Sequence, residues 1–568
     1  MTPKISTESE EAIGMGGEFE TSHTLRNVVY LIFAVLFTFN VGTAFLGADY
    51  GVHWDEHFMQ ELLEESVNDL SAWPSKYFYG SFYSTMGYAG LLPEWVGALP
   101  ELTSEAFKVG QYSGRITPTT EIKRIQEGLN AKIKSNSFLV RLRYLFILVA
   151  SAGLFFQFSA ARDAGDSPMA GLFSAAVIAL SWEINTHSRH IAIDSTLVMM
   201  TALFFAFLTS YLKGDGENRP TLLYVSALVA GMSTGTKFTA LALLIPVLVV
   251  VILQCGKVGR VETFKRLSIS IIISFAALLL VNPGLILDTV NVANDWGYTS
   301  RDYTRETSTL LDSYRTTGRL DHLKQAVSYV TTSALSPNIL IALALDLFAL
   351  IGLVVSLKRH REFVFAAALF FVAYLMIITS SGLAIVRNYL PLVVPLALFS
   401  GIGISFTLKN SLGRSSSYVV LAFFLLWTGV NGQRMFSTAW SVAEPTSSEE
   451  RASELVDYIA QNPEQRFLVT ASVDIFARAG GIDLSGLRNV RVLASKSDRP
   501  SYDHLVYLLA DYYIEAPGVP RRGYFDRVIG TKEVNYDYYP DWVGRNPLTR
   551  IYVIDRQKAE LLYTELGF

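Results

Sequence analysis

The sequence predicts an α-helical multi-span membrane protein of about eleven transmembrane helices, with a small extracytoplasmic α/β domain at its C-terminus. Three observations carry this. Apolar residues make up 51% of the 568 and charged residues only 17%, where a soluble domain averages about a quarter charged. The deficit is uneven: long apolar blocks alternate with short charged stretches over about residues 25–432, while 445–568 has the mixture of a soluble domain. Lysine and arginine collect in alternate short loops between the apolar blocks.

A span needs roughly 20 mostly apolar residues. The candidates are 26–46, 138–159, 168–186, 194–212, 221–235, 238–255, 267–282, 336–357, 363–381, 389–407 and 417–432. The first follows a polar tail, 1–24, and is long enough to span, so it reads as a retained anchor. With that tail in the cytoplasm, the inner loops hold Arg162; Lys213 and Arg219; Lys257, Arg260, Lys265 and Arg266; Lys358, Arg359 and Arg361; Lys409 and Arg414. Every inner loop is then positive, as cytoplasmic loops are. The loops 47–137 and 283–335 and the domain 445–568 fall outside.

The net charge of −4 gives no argument for nucleic acid as a partner, and the single Cys255 excludes an internal disulfide. In the first outer loop, Phe58, Leu62, Leu63, Val67 and Leu70 recur at helical spacing, predicting an amphipathic helix over 57–70; 119–134 reads the same way. The aromatic stretch 73–88 reads either as a membrane-surface belt or as a polyprenyl or sugar contact. In the last domain, 452–462 predicts a helix, and 466–472, 490–495 and 549–556 predict strands. Residues 502–513 fit a strand or a helix. The tyrosines and Trp542 of YDYYPDW fit packing or stacking on a sugar ring.

Ionisable residues cluster where apolar blocks end. Asp55 and Glu56 follow the first span beside Trp54. A partly desolvated carboxylate there suits a general base; an acid pair opening a helix would equally offset its dipole. His53 and His57, four apart, admit a metal site, but HWDEH lacks the HExxH order of zinc proteases. Asp194 opens a span, with Arg189 as a natural ion-pair partner. Charge within a span costs about 2.5–3.5 kcal/mol and is functional or paired. Lys237, between two apolar runs, and Arg387, at the end of another, lie on the same outer side in this topology. Snorkelling explains each cation singly and the set less well.

The motifs DE (55–56), SRHIAID (188–194), GMSTGTK (231–237) and RNYLPLVVPL (387–396), in this order and on one side, resemble GT-C membrane glycosyltransferases. The nearest branch is the protein O-mannosyltransferase and aminoarabinose-transferase-like group, and the likeness runs over about 25–432. It implies a GT-C-like fold and a sugar moved from a polyprenyl-phosphate donor, such as dolichyl phosphate mannose, to a hydroxyl of a protein, lipid or glycan acceptor, with inversion. By motif position Asp55 is the catalytic base, supported by Glu56, with Asp194 organising the site. Lys237 and Arg387, joined by Arg189, hold the donor phosphate; Trp54, His53, His57 and Tyr389 contact substrate. No cofactor is implied; the two histidines keep a divalent metal open. The rival reading is a transporter or flippase, whose charges would gather at the bilayer midplane in paired repeats. Here they gather at one leaflet, without a clear repeat.

Overall fold

The computed structural model describes residues 23–48, 56–69, 81–109, 120–214, 220–304, 316, 318–410, 414–443, 457–470, 484–493, 512–515, 529–536 and 549–565. The chain opens with α1 (His23–Phe45). The first long connection follows as α2 (Glu56–Asn68), α3 (Ser81–Val109) and α4 (Thr120–Ile133). Next come α5 (Asn136–Gly165), α6 (Pro168–Ala179), α7 (Trp182–Ser188), α8 (Ile193–Lys213) and α9 (Pro220–Thr236). A 3-10 turn, Phe238–Leu243, leads into α10 (Leu244–Leu253), α11 (Cys255–Val258) and α12 (Arg260–Val281). The second long connection holds α13 (Gly284–Leu287), α14 (Thr289–Thr304) and α15 (Arg319–Thr331). The membrane part closes with α16 (Ile339–Arg359), α17 (Arg361–Ile378), a 3-10 segment Val386–Leu392, α18 (Val393–Asn410) and α19 (Arg414–Ala443).

Among the described residues, eight helices are long and apolar enough to cross a membrane, so this is an integral membrane protein. The three other expected spans take different shapes. Residues 168–186 form α6 and α7, bent by 62°. Residues 221–235 form the 17-residue α9, and 238–255 become a shorter apolar helix behind a 3-10 turn. Local chemistry sets the ends. Ser135 accepts from the Phe138 N–H to start α5, and Asn338 accepts from Leu340 and Ile341 to start α16. Pro168 opens α6, where its missing N–H costs nothing.

Close approach of helices depends on glycine. A Cβ on Gly352 of α16 would collide with the Phe399 carbonyl of α18, and one on Gly403 with the Phe348 carbonyl. Small residues let helix backbones meet where lipid supplies no hydrophobic drive. Leucines on the opposite side of α16 are exposed, as a lipid-facing surface requires.

The two amphipathic helices appear as expected. Met59, Leu62, Leu63 and Val67 of α2 and Ile125, Leu129 and Ile133 of α4 are buried together with Phe138, Leu139 and Leu142 of α5. The 29-residue α3 was not expected: it runs through Pro93 and Pro100. The C-terminal region contains a five-stranded sheet: β1 (Phe467–Thr470), β2 (Val490–Leu493), β3 (Tyr512–Glu515), β4 (Ile529–Tyr536) and β5 (Thr549–Ile554). Its order is β2-β1-β3-β5-β4, parallel through β3 and antiparallel beyond, followed by α20 (Arg556–Glu565). The strand β4 was missed from sequence; Trp542 lies outside the described residues.

Candidate active site

Two carboxylates from the predicted site are described, and their surroundings differ. Glu56 opens α2 and is wholly buried, as is Arg143 of α5. Arg143 grips it with two prongs, Nε to Oε1 at 2.9 Å and Nη2 to Oε2 at 2.5 Å. Its Nη1 donates to the Ala48 carbonyl at 2.8 Å, and the Ile191 N–H donates to Oε1 at 3.0 Å. One guanidinium therefore joins the end of α1, the start of α2, α5 and the turn before α8. Burial alone would raise the Glu56 carboxyl. The charge and hydrogen bonds of Arg143, the His190 ring and the Ile191 N–H outweigh it and hold the group below its ordinary value. Glu56 was expected to support a base or touch an acceptor; the structure encloses it, with Arg143 and the Ile191 N–H among its contacts.

Asp194 sits in the first turn of α8 and is nearly buried. Lys237 Nζ donates to its Oδ1 at 2.5 Å, and Arg387 Nε lies 3.3 Å from its Oδ2. Lys237 also donates to Asn388 Oδ1 at 2.6 Å. Three segments far apart in sequence thus converge, each at an interruption of helix: the entry to α8, the break after α9 and the 3-10 segment before α18. Lys237 and Arg387 thus both face the one Asp194 carboxylate. The cations reach outward: Lys237 and Arg387 side chains are 18% and 12% exposed, against 3% for Asp194.

The GMSTGTK motif has a packing reason. A Cβ on Gly231 would collide with the Ser274 carbonyl of α12, and one on Gly235 with Val281. The glycines let α9 lie against α12, which sets where the helix breaks and so where Lys237 projects. Asn388 is fixed in turn: Tyr374 of α17 donates to its carbonyl at 3.0 Å, and Thr239 donates to the Tyr374 hydroxyl at 3.3 Å.

Arg189 is not the partner of Asp194. It is buried, and its Nη2 donates to Asn185 Oδ1 at 2.8 Å. Tyr389 is buried with its ring 5.7 Å from His322 and 5.8 Å from Tyr329, both from α15. Tyr329 donates to Glu183 Oε2 at 2.6 Å. His322 Nδ1 lies 2.9 Å from the Ser381 carbonyl. The helix α15 is thereby packed against the segment that bears Arg387. His53, Trp54 and Asp55 lie outside the described residues, as does the side chain of His57. Among the described residues no three His, Cys, Asp or Glu side chains gather as a metal site.

Arg143, Asn388, Glu183 and Tyr329 were missed from sequence. For Arg143 the signal was present: an arginine inside an apolar run demands a partner.

Residues 129–287 match the family described as dolichyl-phosphate-mannose-protein mannosyltransferase. No curated protein matches the whole sequence. The fold is shared with the apo crystal structure of ArnT from Cupriavidus metallidurans, at TM-score 0.51 and 13% identity over 94% of this chain and 99% of that one. It is also shared with the Archaeoglobus fulgidus oligosaccharyltransferase in complex with zinc and sulfate, at TM-score 0.51 and 11% identity over 89% of this chain and 72% of that one. Nothing in these matches favours a transporter. Residues 129–287 thus resemble a mannosyltransferase family, and the fold around them is the one shared with these two solved structures.

Proposed function

We propose that the protein moves a sugar from a polyprenyl-phosphate donor to an acceptor hydroxyl at the outer membrane face, inverting the anomeric carbon. The observation that carries this is the convergence of Lys237 and Arg387 on Asp194, with both cations more exposed than the carboxylate between them.

In this reading Asp55 takes the proton of the acceptor hydroxyl as its oxygen attacks the anomeric carbon. The bond from that carbon to the phosphate oxygen breaks, and the electron pair leaves with the phosphate. Lys237 and Arg387 meet the growing negative charge with fixed positive charge, which lowers the barrier. Asp194 holds both cations in place and limits their repulsion. Arg189 adds positive charge behind the phosphate. Glu56, held by Arg143, positions Asp55, its neighbour in sequence. Trp54, His53, His57 and Tyr389 shape the sugar and acceptor subsites. The acceptor is a protein, lipid or glycan hydroxyl, and the reaction as proposed uses no cofactor.

The positive inner loops support a cytoplasmic N-terminus and an extracytoplasmic C-terminal domain. Asp55→Asn, in membranes given a radiolabelled polyprenyl-phosphate sugar, is expected to abolish transfer at normal protein level. Unchanged turnover would refute the assignment of the base.

A further inference from the structure

The carboxylates in the eight span helices are not all alike. Asp163, Asp194, Glu262 and Glu362 each have a basic partner within the chain. Asp346 of α16 has none among the described residues. It is half-buried and lies seven residues beyond Ile339, so ~10 Å into the helix from its Asn338 end at 1.5 Å per residue. Leu343, Leu347 and Leu350 around it are exposed to lipid.

From this we infer that α16 docks a transmembrane helix of another protein, one carrying a lysine or arginine at matching depth. Lipid tails offer a carboxylate no donor, and polar side chains within membranes find partners on neighbouring helices. The side of α16 that faces α18 is closed by Gly352 and Gly403, so the partner comes from the lipid side.

A second copy of this chain fits less well. Exposed Leu340, Leu343, Leu347, Leu350, Val354 and Leu357 recur at alternating steps of three and four, the seam of a coiled pair. Two copies inserted the same way pair about an axis along the membrane normal, with the two α16 helices parallel. Asp346 flanks that seam, and the residue meeting it across a parallel pair is Ile351. No donor is supplied, so charge complementarity selects a different, basic partner.

The test uses the full chain with Leu343→Cys and Cys255→Ser in phosphatidylcholine vesicles. The probe is a synthetic Leu/Ala transmembrane peptide with one lysine at the depth of Asp346 and one cysteine a turn away. Under mild oxidation the lysine peptide is expected to cross-link roughly tenfold faster than a peptide with leucine in its place, the scale of a polar contact between helices in lipid. Adding Asp346→Asn should bring the rate down to that of the leucine peptide. Equal rates for the two peptides with Asp346 intact would overturn the inference without relying on the Asp346→Asn variant. Chain-to-chain cross-links outpacing the peptide would overturn it in favour of a second copy.

Discussion

The two charged groupings use the same chemistry in different surroundings. In the first, Glu56 and Arg143 are both sealed from solvent, with every prong of the guanidinium engaged. In the second, one carboxylate faces two cations, and both cations keep part of their surface open. A sealed pair presents no charged surface to a ligand, whereas partly open cations can meet one. Exposure, more than the presence of an ion pair, separates the two groupings.

The most forceful way to break this comparison is to unbalance the sealed pair. Arg143→Leu strands a buried carboxylate, and such a loss costs about 3–5 kcal/mol. We expect loss of folded protein, measured by thermal unfolding in detergent. Arg143→Leu with Glu56→Leu should recover most of that stability, since an apolar pair of similar volume is often as good as a buried ion pair. Failure of the double variant to recover would mean that the pair does more than brace α2.

In the open cluster the expected loss is catalytic. Lys237→Gln removes a fixed charge from the leaving phosphate, an effect on the order of 10²–10³ in rate, or about 2.7–4 kcal/mol of transition-state energy. Stability should fall far less than for Arg143→Leu, because Arg387 still faces Asp194. Transfer assays with a labelled polyprenyl-phosphate sugar, run beside unfolding curves, separate the two effects. Equal damage to fold and rate would erase the distinction drawn above.

How much of this was legible in the sequence follows from the cost of errors in a membrane. A run of apolar residues and an isolated charge at its edge are both strong signals, because lipid leaves few alternatives. Eight of the eleven expected spans, and the isolated charges Asp194, Lys237 and Arg387 at helix breaks, were accordingly readable. That Lys237 and Arg387 share Asp194 was not, since 43 residues separate Asp194 from Lys237 and 151 separate Lys237 from Asn388. The roles of Glu56 and Arg189 depended on burial and on partners, neither of which spacing encodes. The helix α3 stayed hidden because Pro93 and Pro100 read as breakers. The strand β4, IGTKEVNY, lacks a clean apolar alternation.

A packing change can sharpen the comparison without touching a charge. Gly231→Ala forces α9 away from the Ser274 carbonyl of α12. Overpacking of this kind costs about 1–3 kcal/mol. The displacement should carry Lys237 with it and lower transfer, while the Glu56–Arg143 clamp, which neither α9 nor α12 contributes to, keeps its own acid response. Normal transfer in this variant would detach the glycine motif from the placement of the lysine.

The smallest effect at neutral pH is the titration of the clamp itself. Glu56 is held below its ordinary carboxyl value of 4.5 by Arg143, His190 and the Ile191 N–H against the opposing pull of burial. A carboxylate lowered in the folded state stabilises the fold above its unfolded value, and that contribution fades as pH falls through the folded value. Nothing should change near neutrality. Below about pH 4.5 the wild-type unfolding temperature should drop, with protonation of Glu56 adding to the general acid response. Glu56→Gln, already uncharged, should begin less stable and show a shallower acid slope. Parallel slopes for the two proteins would mean that the clamp binds its proton no differently when folded, and the sealed pair would lose its claim to be the stronger of the two.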